Sequence, residues 1–205
     1  MFLAKYDATG KVIWVKTIGG YGSDYSKSVA TDALGNVFIT GDIESKSIKF
    51  GTTTLTNSGG SLIFIVKYDA SGNMIWVNST GSNEIGYSSE LTCDANGNLL
   101  MTGSFYSSTI TFGTSTLINF INFKIDFFIV KYDTNGNVIW ARSAGGSQHD
   151  YGKSVSTDLK GNVYVIGNFN SPSIAFVTAN LTNSGGYNTY DLFIVSDALI
   201  SDFSS

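Results

Sequence analysis

The sequence predicts an all-β protein built from three successive copies of one unit. The segment Phe2–Asp7 returns as Phe64–Asp69 and as Phe128–Asp133, so the copies begin 62 and 64 residues apart. Each copy contains two Asp-x-x-Gly turns between apolar segments rich in β-branched and aromatic residues. A repeat of this length is a whole supersecondary unit that buries its apolar face against its neighbours. The repetition therefore predicts the fold class before any single strand is assigned.

The first predicted hairpin of each copy joins a Phe-x-x-Lys-Tyr strand to a Val-Ile-Trp strand. In the second copy, alternation places Phe64, Val66 and Tyr68 on one face and Lys67 on the other, so Lys67 is expected near an edge or an opening. The three tryptophans of the protein share one position in this hairpin: Trp14, Trp76 and Trp140.

The second predicted hairpin follows at a constant distance, because the second turn Asp lies 25 residues after the first in every copy. In each turn, Asp accepts hydrogen bonds from nearby backbone amides and Gly supplies the positive φ that closes the tip. The apolar runs 37–39 and 163–166 predict strands covered on both faces by neighbouring sheets. The six turn residues are Asp7, Asp32, Asp69, Asp94, Asp133 and Asp158.

A further pair of short runs, 47–51 and 54–57, recurs at 109–119 and 173–183. We expect an extra hairpin or a decorated loop there. With one Pro and no long 3.6-residue periodicity, the chain is predicted to form β-propeller-like blades of four strands. A parallel β-solenoid is the alternative, although its coils are usually shorter and need no pair of hairpin tips.

The predicted organisation is a single repeat domain over residues 1–205, with three blades of about 62–65 residues and the first strand of a fourth. After that strand the repeat pattern ends. The divisions are repeats 2–63, 64–127 and 128–192, a partial repeat 193–195 and a non-repeat tail 196–205.

The combined pattern Phe-Ile-Val-Lys-Tyr-Asp-x-x-Gly-Asn-x-Ile-Trp, followed by Val-x-Thr-Asp-x-x-Gly-Asn-Val, resembles the β-propeller repeat of secreted and surface proteins of bacteria, named for a seven-bladed propeller. The likeness extends from Phe2 to about Val195. It implies an extracellular or cell-surface module, and it supplies no catalytic residues. Since Met1 opens directly on a repeat, we expect the leader to be absent from this chain.

Composition narrows the classes of partner. The net charge is −4 and no Lys/Arg-rich run occurs, so nucleic acid is not expected as a partner. No apolar run approaches the length of a membrane span, and no membrane insertion is expected. The single Cys93 excludes an intramolecular disulfide, and Thr31 and Thr157 at the matching positions indicate a small strand residue.

The candidate binding residues recur just before the strand that would line a central channel: Asp24, Tyr25, Tyr87, Asp150 and Tyr151. Aromatic rings beside polar groups suit sugar rings or an extended peptide. The alternative is that each Tyr packs one blade against the next. Individual specificity is expected in unrepeated loop residues: Tyr21, Tyr106, Tyr187 and Tyr190.

The sequence gives little support for a catalytic site or a metal site. His149 is the only histidine, and Gly-x-Ser-x-Gly is missing, so no catalytic residue is assigned. The Asp-x-Asn-Gly-Asn turns cluster oxygen atoms but lack the spacing of an EF-hand loop. We therefore expect no metal and no cofactor, with structural calcium as the alternative.

Three copies are fewer than the four or more blades of a propeller ring. We expect a homo-oligomer, in which two chains supply about six blades, or flanking blades missing from this chain. The predicted function is a non-enzymatic extracellular scaffold for protein–protein interaction or self-assembly. The alternatives are a carbohydrate-binding, lectin- or adhesin-like propeller with a glycan ligand, and a polysaccharide-active enzyme, for which convergent acids are lacking.

Overall fold

A computed structural model describes residues 1–81, 84–176, 179–185 and 189–196. These residues form β-strands, turns and loops and contain no helix, which confirms the all-β class. The described part of the chain accordingly has no helix that is long and apolar enough to cross a membrane.

Nineteen strands are present among the described residues. In chain order they are β1 (Phe2–Tyr6), β2 (Val12–Thr17), β3 (Asp24–Thr31), β4 (Val37–Ile43), β5 (Ser47–Phe50), β6 (Thr53–Thr56), β7 (Leu62–Tyr68), β8 (Met74–Ser79), β9 (Gly86–Cys93), β10 (Leu99–Phe105), β11 (Thr109–Phe112), β12 (Ser115–Ile118), β13 (Asp126–Tyr132), β14 (Val138–Ala144), β15 (Asp150–Thr157), β16 (Val163–Phe169), β17 (Ser173–Phe176), β18 (Ala179–Thr182) and β19 (Asp191–Ser196).

The strands form antiparallel sheets, as expected for propeller blades and not for a parallel solenoid. Blade 1 has the order β3-β4-β7-β8, and blade 2 has the order β9-β10-β13-β14. Blade 3 contains β15-β16-β19, and β1 and β2 form a two-stranded N-terminal ribbon. The described residues therefore hold two four-stranded blades, one three-stranded blade and one ribbon.

The boundaries of the blades do not coincide with those of the sequence copies, because each blade combines half of one copy with half of the next. Both predicted hairpins form, as β3–β4 and β7–β8 in the first blade. Strand β4 then pairs with β7 of the next copy, from Val37 opposite Tyr68 to Ile43 opposite Leu62. Each sheet consequently joins the second hairpin of one copy to the first hairpin of the following copy.

The hydrophobic core lies in layers between successive sheets. One layer contains Phe38 and Ile65 of blade 1 with Met101 and Phe128 of blade 2. A second layer lies between blades 2 and 3, and a third between the ribbon and blade 1. The first strands of the three blades contact one another in sequence, β3 with β9 and β9 with β15, as inner propeller strands do.

The additional short runs form two-stranded hairpins, β5–β6, β11–β12 and β17–β18, which confirms the hairpin alternative. Each hairpin packs an apolar face on its own blade. The rings of Phe50 and Phe64 lie 5.1 Å apart, and those of Phe112 and Phe128 lie 4.8 Å apart. These hairpins therefore belong to the packed blade.

Blade 3 is covered on one face only. Every residue of β4, β7 and β10 is buried, but β16 alternates between buried and exposed residues. The prediction that residues 163–166 are covered on both faces is therefore wrong, because no further sheet lies against Tyr164 and Ile166 among the described residues. The tail 197–205 lies outside the described residues.

Candidate functional site

In all six Asp turns Oδ1 accepts two backbone amides, and in five of them Oδ2 also accepts an Asn side-chain amide. In the Asp94 turn, Oδ1 accepts the backbone amides of Asn96 and Asn98, and Oδ2 accepts Asn98 Nδ2. Gly97 has φ of 78°, as the turn requires. Hydrogen bonds from Asn73 lower the pKa of Asp69 in the equivalent exposed turn. The turns are therefore complete through their own donors, and the absence of calcium stays a prediction.

Asp24 and Asp150 were expected just before the inner strands, but they are the first residues of β3 and β15. Asp24 Oδ2 accepts Gly20 N at 2.9 Å and Ser45 Oγ at 2.8 Å. Asp150 Oδ2 accepts Ser171 Oγ at 2.7 Å. Both carboxylates thus tie the strand to nearby loop residues, and this accounts for their recurrence.

Tyr25, Tyr87 and Tyr151 follow in the same inner strands, at the second residue of each. Tyr25 and Tyr87 are exposed, whereas Tyr151 is partly buried. No ring contact within the described chain joins any two of the three. Lys27 Nζ lies 5.4 Å from the Tyr25 ring, and Lys153 Nζ lies 4.8 Å from the Tyr151 ring. Each Tyr therefore has its own surroundings, and binding there stays a prediction.

The unrepeated tyrosines lie in different environments. Tyr21 is fully exposed, Tyr106 contacts the Phe123 ring at 6.2 Å, and Tyr190 contacts the Tyr151 ring at 6.1 Å. Tyr187 lies outside the described residues.

The His149 and Cys93 side chains both have structural surroundings. His149 Nδ1 accepts the backbone amide of Ile125 at 3.2 Å, so this nitrogen holds a loop. Burial, together with the carboxylates of Asp32 and Asp94, raises the pKa of the Cys93 thiol to about 12. A thiol with so high a pKa is a poor nucleophile at neutral pH.

A recurring bond pattern joins the ribbon to blade 1 and blade 1 to blade 2 at the outer hairpin tips. Lys67 Nζ and Trp76 Nε1 of blade 1 both donate to the backbone carbonyl of Thr134 in blade 2, at 3.0 and 3.3 Å. At the preceding junction Lys5 and Trp14 donate in the same way to Ala70, at 2.8 and 3.3 Å. Contact between neighbouring sheets thus accounts for the Lys and Trp positions of the first two copies.

Lys67 was expected near an edge or an opening, and the structure buries it. Its Nζ lies 4.0 Å from Asp32 Oδ2 and 5.0 Å from the centre of the Phe38 ring. Lys67 therefore does not lie at a sheet edge, because the next blade covers the face on which it lies. The matching Lys131 pairs with Asp94 at 2.9 Å.

The two ends of the stack expose apolar residues whose counterparts are buried inside it. Phe2 in the ribbon is 72% exposed, whereas Phe64 and Phe128 at the matching positions are 0% exposed. On the free face of blade 3, Leu192 and Ile194 are exposed, whereas Ile63 and Ile65 at the matching positions of blade 1 are buried. These exposed ends form the largest contrast between equivalent positions.

Sequence reasoning missed two features of the second copy. Asp126 replaces Leu62 of the preceding copy; it is 1% exposed, and its Oδ1 has no hydrogen-bond partner. Burial and the neighbouring Asp150 raise the pKa of Asp126 to about 7. The adjoining loop exposes Phe120, Ile121 and Phe123. Comparison of the copies could have found both features, because the other two copies have Asn-Ser-Gly in this loop.

The antiparallel blades, their adjoining inner strands and the recurring tip contacts define an all-β repeat protein of the propeller class. Residues 13–49 and 139–172 match the family model described as Beta-propeller repeat, SBBP. These two segments are similar to the repeat that the resemblance implied. Each matched segment runs from the Ile-Trp strand through the following Asp-x-x-Gly hairpin, so the match spans a blade junction.

A relative is the uncharacterized WD repeat-containing protein L264 of Acanthamoeba polyphaga mimivirus. It is 28% identical over 208 residues, which cover 88% of this chain and 15% of that protein. The chain therefore spans a small part of the length of this relative.

Proposed function

We propose that this chain is a non-enzymatic interaction module that assembles with a second copy of itself through the edge of the N-terminal ribbon. The observation that carries the proposal is the exposure of Phe2, whose counterparts Phe64, Phe128 and Phe193 are at most 1% exposed. Strand β1 pairs with β2 on one side only, so its other edge is open for strand pairing.

The buried counterparts of Phe2 show which packing contacts Phe2 does not make within a single chain. Phe128 packs against Gly103 of the neighbouring strand and against Phe112 of the extra hairpin. The same two residue types occur in blade 3. Gly167 in β16 matches Gly103, and Phe176 in the β17–β18 hairpin matches Phe112. Within one chain these contacts are made by Phe193 of β19, which pairs with β16, so β1 of a second copy would gain them by displacing β19.

In this arrangement β1 takes the place of β19, because both strands carry the same first-strand motif. Strand β2 then supplies the fourth strand that blade 3 lacks among the described residues. The exposed Tyr164 and Ile166 of β16 would face a groove of about 190 Å³ that includes Phe2 and Val29. Two chains would form two shared blades and four unshared blades, a ring of about six blades.

Light scattering coupled to size exclusion tests this assembly. We expect a wild-type dimer and a Phe2→Asp monomer, because a carboxylate cannot enter the apolar site without a large desolvation cost. Phe120→Asp is the matched control, since Phe120 is 70% exposed in a loop away from the ribbon. A wild-type monomer at high concentration, or equal loss of assembly in both variants, would overturn the proposal.

The absence of catalysis is part of the same proposal. The structural bonds of Asp150 and His149 support it, since these groups hold loops. A screen against polysaccharide substrates should show no turnover, and hydrolysis or lyase products would contradict it.

Secretion or surface display is proposed from the resemblance to bacterial secreted proteins. Surface proteolysis of intact host cells tests it, with a cytoplasmic protein as control. Degradation of the protein in intact cells is the expected result, and full protection would contradict it.

A further inference from the structure

We propose that the groove between blades 1 and 2 binds a neutral saccharide. It lies at the hairpin tips, away from the ribbon edge, and the inference goes beyond the proposed self-assembly. The groove has a volume of about 500 Å³, within the range of roughly 300–1,000 Å³ found for small-molecule sites. Its lining includes Leu34, Ile75, Trp76, Asn96 and Asn135.

The floor of the groove is electrically balanced. Lys67 and Asp32 lie there with their side chains largely buried, and their charges are 4.0 Å apart. The Lys67 ammonium also donates to the Thr134 carbonyl. Because each charge has a partner of opposite sign or a hydrogen-bond acceptor, the groove favours an uncharged ligand.

The walls combine apolar and amide groups. Leu34 and Ile75 are exposed, and Trp76 adds an aromatic edge. The carboxamides of Asn96 and Asn135 are exposed, and no side-chain hydrogen bond engages them among the described residues. A carboxamide both donates and accepts, so it pairs with a sugar hydroxyl, while apolar side chains pack on the C–H face of the ring.

These side chains are not required by the fold. Leu34, Asn96 and Asn135 occupy the variable positions of Asp-x-x-Gly turns, whose bonds are made by Asp, Gly and the backbone. In the equivalent turn at the next junction, Lys160 occupies the position of Asn96. The carboxamide at this position is therefore particular to the groove between blades 1 and 2. Substitutions at these positions should therefore alter binding and leave folding intact.

The test uses an array of neutral oligosaccharides built from hexoses and N-acetylhexosamines. Titration of each array hit into ¹⁵N-labelled protein follows, with the Trp76 indole and the two carboxamides as probes. We expect these signals to shift and the Trp14 indole signal to stay in place. The double variant Asn96→Ala/Asn135→Ala should weaken binding about tenfold or more, because two ligand hydrogen bonds are lost.

The matched control is Ser71→Ala/Lys160→Ala, at equivalent turn positions of other junctions, and it should bind as the wild type does. A Tyr25→Ala/Tyr87→Ala variant should also retain binding. Loss of binding in that variant alone would place the saccharide site on the inner strands and would overturn the proposal that the groove binds it. No array hit, unchanged binding in the Asn double variant, or binding of extended peptides in place of saccharides would likewise overturn it.

Discussion

The indole nitrogen of Trp76 donates to the backbone carbonyl of Thr134 at 3.3 Å, across the junction between blades 1 and 2. Trp14 makes the same bond to Ala70 from the ribbon to blade 1. Because both tryptophans occupy the same repeat position, one recurring residue type holds these successive sheets together at their outer tips.

Replacing Trp76 by Phe should lower the free energy of unfolding by about 1 kcal/mol, because one hydrogen bond and part of a packed ring are lost. Urea denaturation followed by circular dichroism measures this change. Trp14→Phe removes the same bond from the ribbon, which can open without unfolding the blades, so a smaller loss is expected. A larger loss for Trp14→Phe would contradict this order.

Gly103→Ala should destabilise the protein by about 3 kcal/mol or more. An added Cβ would overlap the Tyr87 carbonyl oxygen and lie 2.7 Å from Phe128 Cζ. Gly19→Ala is the control, because a Cβ there has no atom within 4 Å and should change stability by about 0.5 kcal/mol or less. Thermal and urea unfolding of both variants check the contrast, and similar values would refute it.

Asp126 should make stability fall as the pH rises from about 4 to about 7. Its folded pKa of about 7 exceeds the ordinary value of 3.8, so the folded state binds the proton more tightly over this window. At about 1.4 kcal/mol per pKa unit, the loss should be on the order of 2–4 kcal/mol. Asp126→Asn should flatten the profile and keep the acceptor for Phe120 N. An unchanged slope in this variant would reject the assignment.

Lys131→Met should destabilise the protein by about 3 kcal/mol, because it leaves the buried Asp94 carboxylate without its cation. Lys5→Met is the matched control at the ribbon, where Lys5 donates to a carbonyl and pairs with no buried carboxylate of the described chain. Only a small change is expected there. Equal losses of unfolding free energy in the two variants, measured by urea denaturation, would show that the Lys131–Asp94 ion pair does not stabilise the protein as proposed.

Much of the local structure was predictable from the sequence. The Asp turns and their hairpins depend on residues a few positions apart, and all six formed as expected. The extra hairpins also followed from short repeated runs. The burial of Lys67 was not predictable in this way, because it depends on a residue 67 positions away in another blade.

The candidate site was predictable only in part. Repetition drew attention to Asp24 and Asp150, and the structure assigns their carboxylates to bonds with Ser45 and Ser171. The sequence suggests only calcium as a ligand for the turns that contain Asn96 and Asn135, because each is an ordinary turn residue in its own hairpin. Their approach depends on the packing of two sheets.

The sequence by itself determined the all-β class, the repeat and its hairpin tips, because turn bonds and alternating apolar residues act over short distances. Tertiary structure alone decided which hairpins share a sheet and which apolar faces stay open. Strand pairing joins residues of different copies, and a face is buried only where a neighbouring blade lies against it. For this reason equivalent residues such as Phe2 and Phe64 have opposite environments.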